Sequence, residues 1–561
     1  MKKKLYVVDS YFAAKNIIPL TQNKNHEIIC LNESLVFYLR SKKIKAKSIF
    51  EYFQAHEINQ IKTKSQIILE KNINMLDQEV KKNFFFKKNK IQNFFGSIYQ
   101  NNFEKTFYSY CLIKRFFEKK IKISDFEITI FYSPKLIEHK FPIFEIIKLG
   151  ENFRNIEIKK IDFHNINFLI NFKYFYFKID HLIRVITGKI KDYLLKKNLK
   201  INNLIKNNKE KILILNYEND LLSFLKKKKY KLIFFDDYKI NNNSYSQLLK
   251  NALQIINDNK KISNEFKFAF KSHLLKNKKK INLNLISNIS NNKRIKYIIW
   301  RYPVGHDYNR SLLVKNNLKK KTIIGFQHGA HYLEKKERSQ LNQDFNYCNY
   351  WMSYYGTESD YKRIYRSSPK LSKIISQDFK FKNEKKKVFK NSFLYPIRQI
   401  HHLYSSGIEE KLVLKKQILI LKSLEKLKKT YYLKTIYPIN RENFALIDLL
   451  KDLKYAKIIT GISLKNYLKK YEHKFIILDN YETTLYDSIE YSSNSKILLF
   501  DKINNSNKVF YKQFKKKAPE RLLISTNISA LNRIKIKKSP KIVKKVNFDF
   551  HDYDKINKVI K

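Results

Sequence analysis

Short apolar runs recur along the chain at residues 5–8, 27–31, 127–132, 156–161, 211–215 and 231–235. They are built from β-branched, aromatic and other apolar side chains, and most are closed by Asp, Asn, Ser or Pro, the pattern of a strand and its turn. Between them, as over 34–44 and 142–149, apolar positions fall three and four apart, the spacing of one helical face. Strand, helix and strand in alternation predict parallel sheets covered by helices on both faces, which makes this an α/β protein. Two stretches break the rhythm. Residues 58–120 and 165–210 are rich in Lys, Asn and Phe with helical spacing, and read as helical insertions or long crossovers in the N-terminal half.

A polar, basic segment at 367–388, SSPKLSKIISQDFKFKNEKKKV, is short of strand signals and marks a domain boundary. Residues 1–370 read as an N-terminal Rossmann-like domain carrying the insertions. Residues 385–540 read as a second Rossmann-like domain, followed by a basic tail at 541–561. In the second domain strands are expected at 393–395, 432–437, 456–460, 474–478 and 496–500, with helices at 409–428 and from Glu442 onward.

Composition changes this picture little. Lys, Asn, Ile, Tyr and Phe dominate while Gly, Ala, Pro, Trp and Arg are scarce, the skew of an A/T-rich coding sequence. The net charge of +64 is spread along the chain rather than gathered in one arm, so it reads first as a solvated surface. A polyanion-binding protein is the alternative, but no helix-turn-helix cue, RNP-type strand or zinc finger points to specific nucleic acid. Such a surface adheres to acidic headgroups, at about 1 kcal/mol per well-placed Lys, so peripheral contact with anionic inner-membrane lipids is expected. Cys30, Cys111 and Cys348 lack CxxC or zinc-ligand spacing and read as reduced thiols of a cytoplasmic protein. The opening MKKKLYVVDS has an apolar run that Asp9 ends, a first strand rather than a leader, and no apolar run approaches the roughly 18 residues of a spanning helix.

Candidate chemistry concentrates in three segments. GFQHGAHY, residues 325–332, holds two Gly and two His in a chain with 9 Gly and 13 His in all. KRIKYIIW at 293–300 has a buried-strand pattern, 308–320 can form a helix, and 321–326 is another strand. GFQHG therefore falls at the carboxyl end of a parallel strand, where ligands of open α/β sheets bind. Gly329 lets the backbone turn or approach a ligand, and His328 offers a side chain that titrates near neutrality. A hydrogen-bonded turn histidine is the competing reading. The gathering of Gly305, Gly325, Gly329, Gly356, Trp300 and Trp351 in the same span favours a site; His331 reads as a turn residue and His306 is left open. In the second segment, TIYPINRE at 435–442, Lys434 and Arg441 flank a strand ending in a Pro turn and could hold a phosphate or carboxylate. An ordinary loop with surface charges explains them equally well. The third, ILDNYETTLYDSIE at 477–490, ends a strand at Asp479 and opens a helix at Thr483 and Thr484, with Asp487 one turn on. Thr hydroxyls and unpaired helix N–H groups make an anion seat, and a carboxylate one turn in can accept ribose hydroxyls; a plain Thr N-cap is the alternative.

Taken in order, these segments resemble the GT-B-like transferases of bacterial surface-carbohydrate biosynthesis, the enzymes of O-antigen, lipopolysaccharide and capsule. The shared pattern is a strand ending in QHG (Gln327 to Gly329), then Asp344 before YWMSYYG at 350–356, then a "YP" strand (Tyr437, Pro438) and a D-x-x-x-T-T helix start (Asp479, Thr483, Thr484). The order is also similar to that of nucleotide-sugar 2-epimerases and polyol-phosphate transferases. The resemblance spans about 295–505 and implies two Rossmann-like domains facing a cleft, in a glycosyltransferase-like enzyme that moves a sugar from a nucleotide-activated donor to a lipid-linked or oligosaccharide acceptor. It implies His328 and Gln327 facing the reacting sugar, with Gly329, Lys434, Arg441, Thr483 and Thr484 around the donor phosphates and Asp487 and Asp479 on the ribose and nucleotide. No DxD-type motif is apparent, so no metal or cofactor is expected besides the nucleotide sugar. Asp487 stands where the family usually has Glu, the Pro of the next strand's entry is replaced around 494–496, and the first 290 residues match no such pattern.

Overall fold

The computed structural model describes residues 2–22, 25–88, 94–98, 101–132, 155–161, 211–216, 231–235, 245–276, 283–301, 308–327, 347–353, 373–376, 387–397, 407–435, 453–459, 462–479, 483–492, 495–500 and 522–525, with isolated positions between them. Within these residues the strands form three parallel sheets. The expected helices at 142–149, in 165–210 and from Glu442 onward, and the basic tail, lie outside them.

The first sheet holds β1 (Lys3–Val8), β2 (His26–Cys30), β3 (Lys47–Ser48), β4 (Phe126–Tyr132) and β5 (Glu157–Lys160) in the order β3-β2-β1-β4-β5. Helices α1 (Tyr11–Ile17) and α2 (Glu33–Ser41) follow β1 and β2, capped by the side chains of Ser10 and Asn32. Between β3 and β4 the chain makes α3 (Ala55–Lys82), α4 (Phe84–Lys88), α5 (Phe94–Ile98) and α6 (Asn101–Lys119), the helical excursion that the spacing of 58–120 predicts. Leu69, Ile73, Leu76 and Val80, four and three apart, are the buried face of α3.

The second sheet holds β6 (Lys211–Ile214), β7 (Lys231–Phe234), β8 (Ile295–Trp300), β9 (Thr322–Phe326), β10 (Tyr350–Ser353) and β11 (Lys373–Ser376), ordered β11-β10-β9-β8-β6-β7. Helices α7 (Tyr245–Asp258), α8 (Asn264–Lys276) and α9 (Leu283–Asn291) lie between β7 and β8, and α10 (Tyr308–Asn317) between β8 and β9. Rings of α8 pack on those of α6: Phe103 lies 5.0 Å from Phe270, and Phe107 lies 5.5 Å from Phe266. Aromatic packing thus ties the excursion of the first sheet to the helices of the second.

The third sheet holds β12 (Lys387–Pro396), β13 (Tyr431–Lys434), β14 (Ala456–Ile459), β15 (Tyr471–Leu478), β16 (Lys496–Leu499) and β17 (Leu522–Ile524), ordered β14-β13-β12-β15-β16-β17. Its helices are α11 (Gly407–Lys426), α12 (Leu464–Leu468) and α13 (Thr483–Tyr491). Just past α11, Lys428 takes a left-handed φ of 50° and turns the chain out of the helix.

Burial on both faces explains why these strands read as near-continuous apolar runs. Along β12, Leu394 enters one apolar cluster while Phe393 and Tyr395 enter another, and along β8 Ile298 and Trp300 part from Tyr297 and Ile299 in the same way. One of those clusters contains residues of all three sheets, among them Leu5, Ile298 and Ile476.

The second and third sheets are two Rossmann-like units of the α/β fold that the alternation predicts. Residues 1–370, read as one domain, contain two separate sheets. The polar segment 367–388 also contains β11, which pairs with β10, so the second sheet extends to Ser376 and the third begins at Lys387. The early part of β12 escaped notice because Lys390 and Asn391 interrupt its apolar run, where the pairing with β15 shifts register between Phe389 and Phe393.

Candidate functional site

In the third sheet the chain starts centrally at β12, builds outward through β13 and β14, then crosses to β15 on the other side. Connections leaving β12 and β15 therefore diverge, which opens a crevice at the carboxyl ends of those two strands. Asp479 follows β15 directly and is 2% exposed. Its Oδ2 accepts from the Tyr395 hydroxyl at 3.0 Å and from Gln417 Nε2 at 2.9 Å. Lys416 Nζ donates to the Asp479 carbonyl at 2.7 Å. Burial, reinforced by the adjacent carboxylate, pushes the Tyr395 hydroxyl well above the ordinary phenol range, so it remains a donor.

Lys434 ends β13 in register with Pro396 of β12, and its carbonyl accepts from Ile397 N–H at 2.9 Å. The Lys434 side chain is buried, and its ammonium donates to the carbonyl of Thr435. Beyond Asp479 the chain enters α13 at Thr483. Leu485, Tyr486 and Ile489 anchor this helix in the large apolar cluster, Ser488 Oγ donates to the Thr484 carbonyl at 2.6 Å, and Asp487 is half-buried. The structure thus gathers Lys434, Asp479 and the start of α13 along one carboxyl edge, with Lys416 and Gln417 reaching in from α11. The N–H groups opening a helix suit an anion, and Lys434 and Lys416 add positive charge to the same edge while their ammonium groups donate to the Thr435 and Asp479 carbonyls. Asp479, expected among the ribose- and nucleotide-binding residues, is buried, and the bonds from Tyr395 and Gln417 make it an anchor that joins β12, β15 and α11. Arg441 lies outside the described residues.

The second sheet has its own crossover, between β6 and β8. There Asn216 Oδ1 accepts from Arg301 N–H at 2.5 Å, and the buried Arg301 guanidinium donates through Nη1 to the Gln327 carbonyl at 2.8 Å. Gln327 N–H donates to the Met352 carbonyl at 2.9 Å. Gln327 is fully buried, so its side chain is enclosed by protein where the resemblance has it face a sugar. His328 and Gly329, next along the chain, lie outside the described residues.

At Gly325, Trp300 and Trp351 the local excess of scarce residues has a packing cause. A Cβ on Gly325 would stand 2.5 Å from Cζ2 of Trp300, so only glycine fits beside that indole. Trp300 and Trp351 have ring centroids 5.7 Å apart, and Trp300 Nε1 donates to the Tyr347 carbonyl at 3.1 Å. Gly325 and both tryptophans are core. Arg301, Asn216, Tyr395, Lys416 and Gln417 were not picked out from sequence; a rare arginine directly after the apolar run of β8 was the available signal for the first.

No protein-family model and no curated protein matches this sequence. Among solved structures the chain is similar to UDP-GlcNAc 2-epimerase of Methanocaldococcus jannaschii, in complex with UDP-GlcNAc and UDP, at 13% identity over 62% of this chain and 99% of that one, with a TM-score of 0.37. It is similar to UDP-N-acetylglucosamine 2-epimerase of Rickettsia bellii at 10% identity over 63% and 96%, TM-score 0.36. It is similar to CalG4, the calicheamicin glycosyltransferase, at 7% identity over 59% and 91%, TM-score 0.29.

Proposed function

We propose that this protein is a GT-B-like glycosyltransferase that moves a sugar from a nucleotide-activated donor to a lipid-linked or oligosaccharide acceptor of a surface polysaccharide or lipopolysaccharide. The observation that carries this reading is the carboxyl edge of the third sheet, where Lys434, Lys416 and the opening of α13 cluster at the β12/β15 crossover. In the proposed reaction the acceptor hydroxyl attacks the anomeric carbon of the donor, and His328 takes the hydroxyl proton. As the bond from that carbon to the phosphate oxygen breaks, its electron pair leaves with the nucleoside diphosphate. Lys434, Arg441, Thr483, Thr484 and the first N–H groups of α13 stabilise the departing charge. Asp487 accepts from the ribose. Gln327, pinned by Arg301 and Met352, sets the main chain from which His328 and Gly329 extend. The reaction as written assigns no role to a metal, so turnover is expected to survive chelation.

A thermal-shift screen over UDP-, GDP-, CMP- and CDP-activated sugars identifies the donor, because a ligand at about 100 times its Kd adds about 2.7 kcal/mol of stability. His328→Ala is expected to abolish transfer while keeping that stabilisation. Unchanged transfer removes His328 from the mechanism. Interconversion of the donor sugar without an acceptor makes the protein an epimerase on the same site.

A further inference from the structure

Helix α11 turns Leu414, Gln417, Ile418, Leu421 and Leu424 inward, where they are buried against the third sheet. Its opposite side is not simply polar. Leu412 is 60% exposed and Leu419 52% exposed, and Lys415, Lys422 and Lys426 are exposed with them. At about 100° per residue these positions fall within about 80° of arc, so Leu and Lys share one stripe nearly four turns long. No acidic residue belongs to the stripe. Glu425 of the same helix accepts from the backbone N–H groups of Lys454 and Tyr455, at 2.9 and 3.2 Å, on another side.

A surface both apolar and cationic selects its partner by charge complementarity. A soluble polyanion would satisfy the lysines and leave the leucines in water; a neutral protein face would cover the leucines and strand the lysines. The headgroup boundary of an anionic bilayer takes both, with leucines entering the acyl region and lysine stems reaching back to phosphate. We propose that the outer face of α11 docks the protein on an anionic lipid surface. The same helix delivers Gln417 and Lys416 to Asp479, so docking holds the β12/β15 crevice one helix diameter, about 10 Å, from the lipid. The proposal stands whether or not the protein transfers sugars.

The test is sedimentation of the full chain with phosphatidylcholine vesicles containing or lacking phosphatidylglycerol. Binding is expected only with phosphatidylglycerol. Leu412→Gln with Leu419→Gln should weaken it about tenfold while leaving affinity for heparin unchanged, since only a bilayer receives the leucines. Lys415→Gln, Lys422→Gln and Lys426→Gln together should also weaken it about tenfold. The equal charge change Lys293→Gln, Lys319→Gln and Lys320→Gln, at exposed lysines preceding β8 and β9, should not. A leucine variant that binds like wild type, or a Lys293, Lys319 and Lys320 variant that loses as much as the α11 lysine variant, overturns the proposal in favour of diffuse adsorption. Should the double leucine variant misfold, Leu419→Trp provides a second reading. Its emission is expected to shift to the blue on phosphatidylglycerol vesicles, and an unshifted spectrum with bound protein overturns the proposal.

Discussion

Two buried polar networks sit toward opposite ends of the third sheet, and they are built differently. At the carboxyl end, Asp479 is held by Tyr395 and Gln417, Lys416 donates to its carbonyl, and Lys434 ends β13 on the same edge of the sheet. Toward the amino end, His473 sits among Phe389, Tyr432 and Tyr467, its Nδ1 2.8 Å from Ser392 Oγ and its Nε2 2.8 Å from the Tyr467 hydroxyl. Ser495 Oγ donates to the His473 carbonyl. Burial holds the His473 imidazole down to about 4, so it is neutral at physiological pH with both ring nitrogens engaged. The neutral network closes on itself and fastens strands. The charged one lies at a crossover of the strand order, where ligands of open α/β sheets bind. A histidine in a sheet is thus a poor guide to chemistry beside the question of which end of the strands it occupies.

That contrast breaks first at Asp479. Asp479→Ala leaves two buried donors without their acceptor and should cost about 4 kcal/mol in denaturant unfolding, with loss of donor-induced stabilisation as well. Retention of full stability would mean that the anchor role is wrong. The next largest effect is a pH dependence confined to the amino-end network. The folded pKa of His473, about 4, lies below the unfolded value of about 6.5, so the unfolded chain takes up the proton first as pH falls. The contribution of the neutral imidazole is complete above about pH 6.5 and is lost as pH drops toward 4, up to about 3 kcal/mol. His473→Gln should flatten that part of the stability profile without changing nucleotide affinity; an identical profile in the variant contradicts the assignment. The smallest effect is Tyr467→Phe, about 1 kcal/mol for one lost hydrogen bond, again at unchanged nucleotide affinity.

Strands were the most legible feature of this chain, and the reason is burial on both sides. The runs at 127–132, 211–215 and 496–500 match β4, β6 and β16 to within a residue at either end. Two failures have local causes: β12 carries an irregular, polar interruption, and β3 spans only Lys47–Ser48, too short to show a period. The candidate site was legible only where a polar residue follows a strand in the chain. Lys434 and Asp479 stand at strand ends, so a single run and its turn revealed them. Their partners did not show because the contacts are remote: Tyr395 meets Asp479 across 84 positions, Gln417 meets it across 62, and Arg301 meets Asn216 across 85. The clustering of rare residues around 300–351 pointed to function for the wrong reason at Gly325, Trp300 and Trp351, because a large indole against a strand needs a neighbour without a Cβ.

If the carboxyl edge of the third sheet seats the nucleoside diphosphate, the charge of Lys434 contributes to holding its phosphates. Calorimetric titration of wild type and Lys434→Met with the free nucleotide of the donor found by thermal shift tests it directly. Loss of one charge-assisted contact to phosphate is expected to weaken binding by about 10- to 100-fold in the variant, with its unfolding curve in the absence of nucleotide still cooperative. Equal affinity in the two proteins would contradict it.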